Sequence, residues 1–280
     1  FRGDRLPEDL RGDLLIPEPV GRLIRRASVE RTDARTVLKN SYPGSEFIRS
    51  RDANFRPLWA ETAPDGRMLL VDMHRGIIQQ GNWTRPGSYL RGIIDKWGLD
   101  KNVGKGRIYR LVHKDFKPGP QPRMLEEKTA DLVKHLSHPN GWWRDTAKKL
   151  IILRKDRDSV IPALKELALK GRAELGRANA LWTLEGIGAL NATTVAAALQ
   201  DPSILVKVQA LRVGEPLIGE GNAVVVTGIM RLGELNGNPN AEVATQLINS
   251  VGRSGTGNTD LLALVDEVAK AFPGNEAVKA

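Results

Sequence analysis

The chain has 280 residues, of which 41% are hydrophobic, and this length suits one large domain or two ordinary ones. Because it has no cysteine, it contains no disulfide, thiolate metal site or covalent haem attachment. The formal charge of +9 can indicate nucleic acid, but the basic residues are scattered and only 5% of residues are aromatic. We therefore expect a solvated surface, no nucleic-acid partner and, since no long apolar run occurs, no membrane span.

The first part of the chain, up to about Asp115, has a strand-and-turn pattern. Short apolar segments at 14–16, 22–29, 67–72 and 107–113 predict β-strands bounded by turn residues. A Pro-Asp-Gly turn at 64–66 precedes the third of these, with Pro presetting φ and Gly supplying a positive φ. The chain begins at Phe1 without Met, and its opening resembles the middle of a repeat array, so we expect a C-terminal fragment of a longer protein.

Residues 117–123 contain three prolines and predict a stiff linker, because proline resists both helix and strand pairing. Residues 1–116 and 124–280 are therefore predicted to be separate domains. From Met124 onward, apolar residues recur at spacings of three and four, which is typical of helices.

The helical part repeats at intervals of about thirty residues, which is typical of an α-solenoid. Each copy has an alanine with a basic residue three positions before it. The copies are Arg144 with Ala147, Arg177 with Ala180, and Lys207 with Ala210. In two copies a proline stands eight positions before the alanine, and we expect Pro139 and Pro202 to occupy the first turn of a helix. The small alanine would let a neighbouring helix pack closely.

Several segments together resemble a known family. Residues 12–26, 46–57, 64–79 and 104–110 are similar to the closing blades of membrane-bound dehydrogenases related to soluble quinoprotein glucose and sorbosone dehydrogenases. Residues 138–147 and 180–186 resemble the HEAT-like repeats that often follow that propeller. The resemblance covers about residues 1–215. It implies a multidomain β and α protein, with a partial β-propeller of closing blades followed by an α-solenoid of HEAT-like repeats.

The resemblance also implies a cofactor and partners. In that family, pyrroloquinoline quinone lies at the axial mouth of the propeller, and arginines of the last blades pair with its carboxylates. Here Arg56, just before the Pro-Asp-Gly turn, is the best match, and Asn54 stands where a second arginine is expected. Arg75 is the third cofactor-binding candidate. A lysine near the Val20–Gly21 turn is missing. No cofactor is evident within the fragment itself, so we expect the quinone only in the full-length protein.

Other readings of these residues stay open. Arg56 could be structural and pair with Asp52 or Asp72. His74 could be a general base, but the sequence shows no carboxylate to orient it, which favours a structural role. The histidines share no ligand spacing, so no metal site is predicted, and the catalytic residues are unknown.

The resemblance implies that the chain is a fragment of a quinone-dependent sugar or polyol dehydrogenase, which would be active only as the full-length protein. Its electrons would pass to a cytochrome c domain or protein, and its solenoid would bind a protein partner. The family implies a periplasmic or cell-envelope location. The alternative is a non-enzymatic carbohydrate- or protein-binding scaffold with an eroded cofactor site.

Overall fold

The computed structural model describes residues 1–78, 81–233 and 240–279, and these ranges hold seven β-strands and twelve α-helices. The strands are β1 (Leu14–Glu18), β2 (Leu23–Thr32), β3 (Arg35–Asn40), β4 (Ile48–Arg49), β5 (Pro57–Thr62), β6 (Met68–Asp72) and β7 (Arg107–Leu111). The helices are α1 (Tyr89–Trp97), α2 (Thr129–His135), α3 (Gly141–Leu153), α4 (Ile161–Lys170), α5 (Glu174–Gly186), α6 (Ala192–Ala198), α7 (Ile204–Val213), α8 (Glu215–Gly219), α9 (Ala223–Gly233), α10 (Ala241–Ser254), α11 (Thr259–Lys270) and α12 (Glu276–Lys279). The predicted class of mixed β and α protein is confirmed.

The strands form two sheets, and neither closes into a barrel within the described residues. In the four-stranded sheet β2 pairs with β1, β3 and β4, and in the three-stranded sheet β6 lies between β5 and β7. The β1–β2, β2–β4, β5–β6 and β6–β7 pairs are antiparallel. Four predicted strand positions are thus confirmed, with boundaries that differ by at most three residues.

In strand β6, buried and partly buried side chains alternate, and the buried ones contribute to the core of this part of the chain. Every second residue of β6 is buried, since successive side chains point to opposite faces of a sheet. Met68 and Leu70 join a hydrophobic cluster with Leu10 and Ile24, which are also buried. The third buried position of β6 is Asp72, a carboxylate only 1% exposed, so the strand delivers a charged group into the protein interior.

The prediction of strands and turns up to about Asp115 was wrong where α1 occupies Tyr89–Trp97. The hydroxyl of Ser88 accepts a hydrogen bond from the Arg91 backbone N–H at 3.2 Å and so caps the helix start. Gly98 ends the helix in the left-handed conformation, with φ of 58°. These cap signals were present in the sequence, but the surrounding strand pattern obscured them.

The chain forms two compact units. The first comprises Phe1–Glu30, Thr36–Pro122 and Pro139–Trp142, and the second comprises Arg31–Arg35, Arg123–His138 and Trp143–Ala280. In the second unit α4 packs against α5, α5 against α7, α7 against α10, and α6 against α9. Each helix therefore meets neighbours that are near it in sequence, which keeps the packing local.

The repeated alanines are fully buried: Ala147 in α3, Ala180 in α5 and Ala210 in α7. Their predicted role as small packing residues is therefore consistent with their burial. The prediction for the prolines was wrong, because Pro139 and Pro202 lie outside their helices. Helix α7 begins at Ile204 after an N-cap at Ser203, whose backbone N–H donates to the Asp201 carboxylate at 2.8 Å. The polar residue after the proline, and not the proline, starts the helix.

Two of the repeated basic residues make the same contact. Arg144 Nη1 donates to the carbonyl oxygen of His138 at 2.5 Å, and Arg177 Nη1 donates to that of Gly171 at 2.8 Å. In each case the acceptor lies six residues earlier, where the chain enters the arginine's helix. Arg177 also binds the Asp201 carboxylate through Nε at 2.7 Å and Nη2 at 2.8 Å, so it links α5 to the segment before α7.

We expect Arg177→Leu to lower the free energy of unfolding by about 3 kcal/mol, because it leaves the Asp201 carboxylate buried without its partner. The side chains of Arg177 and Asp201 are only 12% and 6% exposed. The matched control is Arg123→Leu, which breaks an exposed pair with Glu126 and should change stability by less than about 1 kcal/mol. Denaturant unfolding followed by helical circular dichroism measures both, and equal effects would contradict the structural role of Arg177.

Candidate functional site

The main cavity of the first unit has a volume of about 670 Å³, within the usual range for small-molecule sites. One side is formed by residues 51–56 and the β1–β2 turn, and it carries the charged groups. The other side is apolar and is formed largely by α1. Among the described residues that line it, Arg22, Arg51 and Arg56 are cationic and Asp52 is anionic. The cavity therefore has an excess of positive charge on one side.

The guanidinium of Arg56 is already engaged by backbone carbonyls. Its Nε donates to the carbonyl oxygen of Arg75 at 3.0 Å, and its Nη2 donates to that of Gly76 at 2.8 Å. Its Nη1 donates to the carbonyl oxygens of Pro19 and Val20 at 2.7 and 3.2 Å. Four of its five N–H groups are thus used, and one N–H on Nη2 has no partner among the described residues.

Arg56 has a structural role, but its partners are not the carboxylates that the sequence suggested. Its side chain binds neither Asp52 nor Asp72. Instead, the Asp72 carboxylate accepts the backbone N–H of Arg56 at 2.7 Å. Burial, followed by repulsion from Arg22, lowers the pKa of the Arg56 guanidinium. The Glu18 and Asp72 carboxylates act in the opposite direction but do not outweigh these two effects on the pKa of Arg56.

Arg22 is the residue that the sequence analysis did not select. It follows the turn between β1 and β2, where the Glu18 carboxylate accepts the backbone N–H groups of Val20 and Gly21. Its φ is 61°, the left-handed region that non-glycine residues seldom adopt and that often marks functional sites. Its Nε is buried, and its guanidinium has no hydrogen-bond partner in the described part of the chain. Arg22 is therefore a strained and unpartnered cation on the cavity wall.

Asn54 presents an acceptor to the same cavity. Its Nδ2 donates to the Asp52 carboxylate at 3.1 Å, and its backbone N–H donates to the same oxygen at 2.9 Å. Since a carboxylate oxygen can only accept, this contact fixes which way the amide faces. Asn54 Oδ1 is then left buried with no donor among the described residues. The same bonds, first that from the backbone, lower the pKa of Asp52, which keeps this carboxylate ionised.

The apolar wall comes from one face of α1. Leu90, Ile93, Ile94 and Trp97 line the cavity, at spacings of three and four that place them on one side of the helix. Ile94 is fully buried, whereas Trp97 is 68% exposed and lies at the edge. The cavity thus combines a cationic side with an apolar side, which suits a ligand that has both characters.

The three predicted cofactor-binding residues do not all share this cavity. Arg56 and Asn54 line it together, but Arg75 lines a separate, shallower hollow of about 380 Å³ with Asn102 and Arg107. Arg75 enters the main site only through its carbonyl oxygen, which accepts from Arg56. The structure therefore brings together two of the three, and adds Arg22 and Arg51.

His74 differs from the sequence-based description, because it does have a carboxylate to orient it. Its Nδ1 lies 3.3 Å from Asp72 Oδ2, and its backbone N–H donates to Asp72 Oδ1 at 2.8 Å. The hydroxyl of Tyr109 donates to the same carboxylate at 3.4 Å. His74 is 9% exposed and has a φ of 47°, so it is buried and strained. Asp72 is thus a junction for three segments of the first unit.

The described ranges contain no group of three or more His, Cys, Asp or Glu side chains placed to hold a metal ion. None of the helices in these ranges combines the length and apolar character that crossing a bilayer requires.

The sequence carried one usable signal for Arg22 and Arg51. Arg22 immediately follows the Val20–Gly21 turn, near which the resemblance implies a lysine. Arg51 is three residues before Asn54. The apolar wall could not be found without recognising α1.

Comparison with known proteins adds one finding. Residues 1–115 match the model of a family described as a domain of unknown function (DUF7133). No curated protein matches the chain, and no solved structure matches it. The matched segment contains both sheets, α1 and the whole lining of the cavity.

We expect Arg56→Met to destabilise the first unit by about 3 kcal/mol or more, since it leaves four carbonyl oxygens without their charged donor. Arg56→Lys should not restore stability, because an ammonium cannot span the same acceptors. Arg49→Met is the matched control, since Arg49 is exposed and unpartnered in the described structure, and it should change stability by less than about 0.5 kcal/mol. Amide hydrogen exchange in β6 measures the effect, and unchanged protection in Arg56→Met would contradict it.

Proposed function

We propose that this chain is part of a propeller-type, quinone-dependent dehydrogenase of sugars or polyols, as the resemblance of its motifs implies. In this proposal the two sheets belong to closing propeller blades. The observation that carries the proposal is the unpartnered, strained Arg22 beside Arg51 and Arg56 in one cavity, because an acidic quinone needs cations that are free to pair with carboxylates.

The residues present suit such a cofactor in three respects. Arg22 has a buried Nε without a partner in the described structure, the exposed Arg51 lines the same cavity, and Arg56 has one N–H to spare. The α1 wall offers an apolar surface for a planar ring. Asn54 Oδ1 can accept a hydrogen bond from a ring N–H. When bound, the quinone would supply a hydride acceptor.

The contribution of this chain would be to bind and orient. Arg22 and Arg51 would hold carboxylates on one side, and Leu90, Ile93 and Ile94 would exclude water from the other. The proposal assigns no proton-abstracting residue to this chain, and the catalytic set would belong to the full-length protein.

The helical unit would serve as an interaction module of HEAT-like repeats. The buried Ala147, Ala180 and Ala210 and the matching bonds of Arg144 and Arg177 support a repeated architecture. Such solenoids present extended surfaces to protein partners. In this proposal the partners are a cytochrome c domain or protein that accepts electrons and a further protein docked on the solenoid, in the periplasm or cell envelope.

One observation favours the alternative, a non-enzymatic carbohydrate- or protein-binding scaffold. Arg56, the best match to a cofactor-binding arginine, uses four of its five N–H groups on backbone carbonyls, which is a structural use. Asn54 also replaces an expected arginine. Both features are compatible with a cavity that has lost the cofactor and kept its frame.

We expect pyrroloquinoline quinone to quench tryptophan fluorescence on titration into the full-length protein, because Trp97 lines the cavity. Arg51→Gln should weaken quinone binding about tenfold or more, since it removes a charge-assisted bond. Arg49→Gln removes the same charge outside the cavity and should bind as the parent does. Absence of quinone binding would contradict the dehydrogenase proposal, whereas binding without sugar-dependent dye reduction by the full-length protein would favour the scaffold.

A further inference from the structure

The two buried polar atoms without partners in the main cavity have opposite hydrogen-bonding characters. Arg22 Nε is a donor that carries positive charge, and Asn54 Oδ1 is an acceptor. Leaving such atoms buried and unpaired is unfavourable, so natural structures usually satisfy them with a partner. A ligand that satisfied both atoms would therefore need an anionic acceptor for Arg22 Nε and a hydrogen-bond donor for Asn54 Oδ1.

We propose that the cavity binds a hydroxylated organic acid with an apolar body. Its carboxylate would pair with Arg22, its hydroxyl would donate to Asn54 Oδ1, and its apolar body would lie against Ile93 and Trp97 of α1. This goes beyond the proposed dehydrogenase, because it concerns the ligand that these residues select whichever reaction the full-length protein performs.

The charges of the cavity support an anion whose carboxylate lies at Arg22 and not beside Asn54. Three arginines face one carboxylate among the lining residues, and the Arg56 guanidinium is largely occupied by carbonyls. Asn54 Oδ1 and the ionised Asp52 stand beside each other, and both would repel a second carboxylate there. A hydroxyl, which can donate, is the group that fits this position.

The backbone of Arg22 gives a second and independent reason. An arginine at φ of 61° is less favourable than glycine would be at the same position, so the backbone here favours glycine. The side chain of Arg22 forms no hydrogen bond or ion pair within the described residues that would compensate this strain. A strained arginine on a cavity wall, with a buried Nε that has no partner in the described structure, points to a ligand as its partner.

The test uses mandelate, which carries a carboxylate, a hydroxyl and a phenyl ring, in isothermal titration calorimetry with the whole chain. Three analogues each lack one group: phenylacetate lacks the hydroxyl, 1-phenyl-1,2-ethanediol lacks the carboxylate, and glycolate lacks the ring. Mandelate should bind at least about tenfold more tightly than each analogue, since each loses one of the three contacts. Equal affinity for mandelate and phenylacetate would overturn the role of Asn54.

The Arg22→Gly variant distinguishes a loss of ligand binding from a loss of stability. Glycine adopts a positive φ without strain, so the variant should melt at or above the temperature of the parent. It should nevertheless lose at least about tenfold in mandelate affinity, because the charged partner is gone. Arg49→Gln, with the same change in charge, should bind as the parent does. Retained binding in Arg22→Gly would overturn the proposal.

Asn54→Leu tests the hydroxyl contact directly. The variant should bind mandelate and phenylacetate equally, because the acceptor that distinguishes them is removed. If it still prefers mandelate, the hydroxyl contact lies elsewhere and the proposal fails. If mandelate does not bind the parent chain even at millimolar concentration, the proposal also fails, and separate titration with the quinone then decides the dehydrogenase proposal on its own.

Discussion

The guanidinium of Arg56 is the contact on which the first unit depends. It joins the turn between β1 and β2, through the carbonyls of Pro19 and Val20, to the segment after β6, through those of Arg75 and Gly76. Asp72 anchors Arg56 from the other direction by accepting its backbone N–H. A planar cation with five donors is the side chain best able to hold several carbonyls at once. This contact therefore ties together the two segments that frame the cavity.

The contacts of Arg56 also explain why the positive charge of the cavity is available to a ligand. Because Arg56 is engaged, it fixes the β1–β2 turn and thereby the position of Arg22, whose φ of 61° that turn imposes. The fixed turn leaves the Arg22 guanidinium without a partner in the described structure. Arg56 therefore holds the backbone in place, whereas Arg22 is the arginine that a ligand would contact. The sequence alone does not distinguish these two roles.

The elements that the sequence could predict were those with strong local signals. The strand at 67–72 follows a Pro-Asp-Gly turn and alternates clearly, and it was found. The helix α1 was missed because its cap signals at Ser88 and Gly98 lie among strands and its nine residues give a short periodic pattern. Pro139 and Pro202 were expected in the first turn of a helix, but each lies before its helix. The Asn140 side chain accepts the Trp142 backbone N–H, and Ser203 is the N-cap residue of α7 without a side-chain cap hydrogen bond in the described structure.

The candidate site was less predictable, because it depends on which hydrogen bonds are already taken. Arg56 was chosen for its place before a turn, and nothing in the sequence shows that four carbonyls occupy it. Arg22 is one of many scattered basic residues in the sequence. His74 lacked a visible carboxylate because Asp72, two residues earlier, points to the same side only after a left-handed turn at His74. Such relations arise from tertiary contacts.

The most direct measurement of the central claim is nitrogen-15 NMR of the arginine Nε–H groups, with and without mandelate. The Arg56 Nε–H should be protected from solvent exchange in the ligand-free protein and should not change, since it already donates to a carbonyl. The Arg22 Nε–H should shift and become protected only when mandelate is added. An Arg56 signal that responds to the ligand while Arg22 stays unchanged would contradict this division of roles.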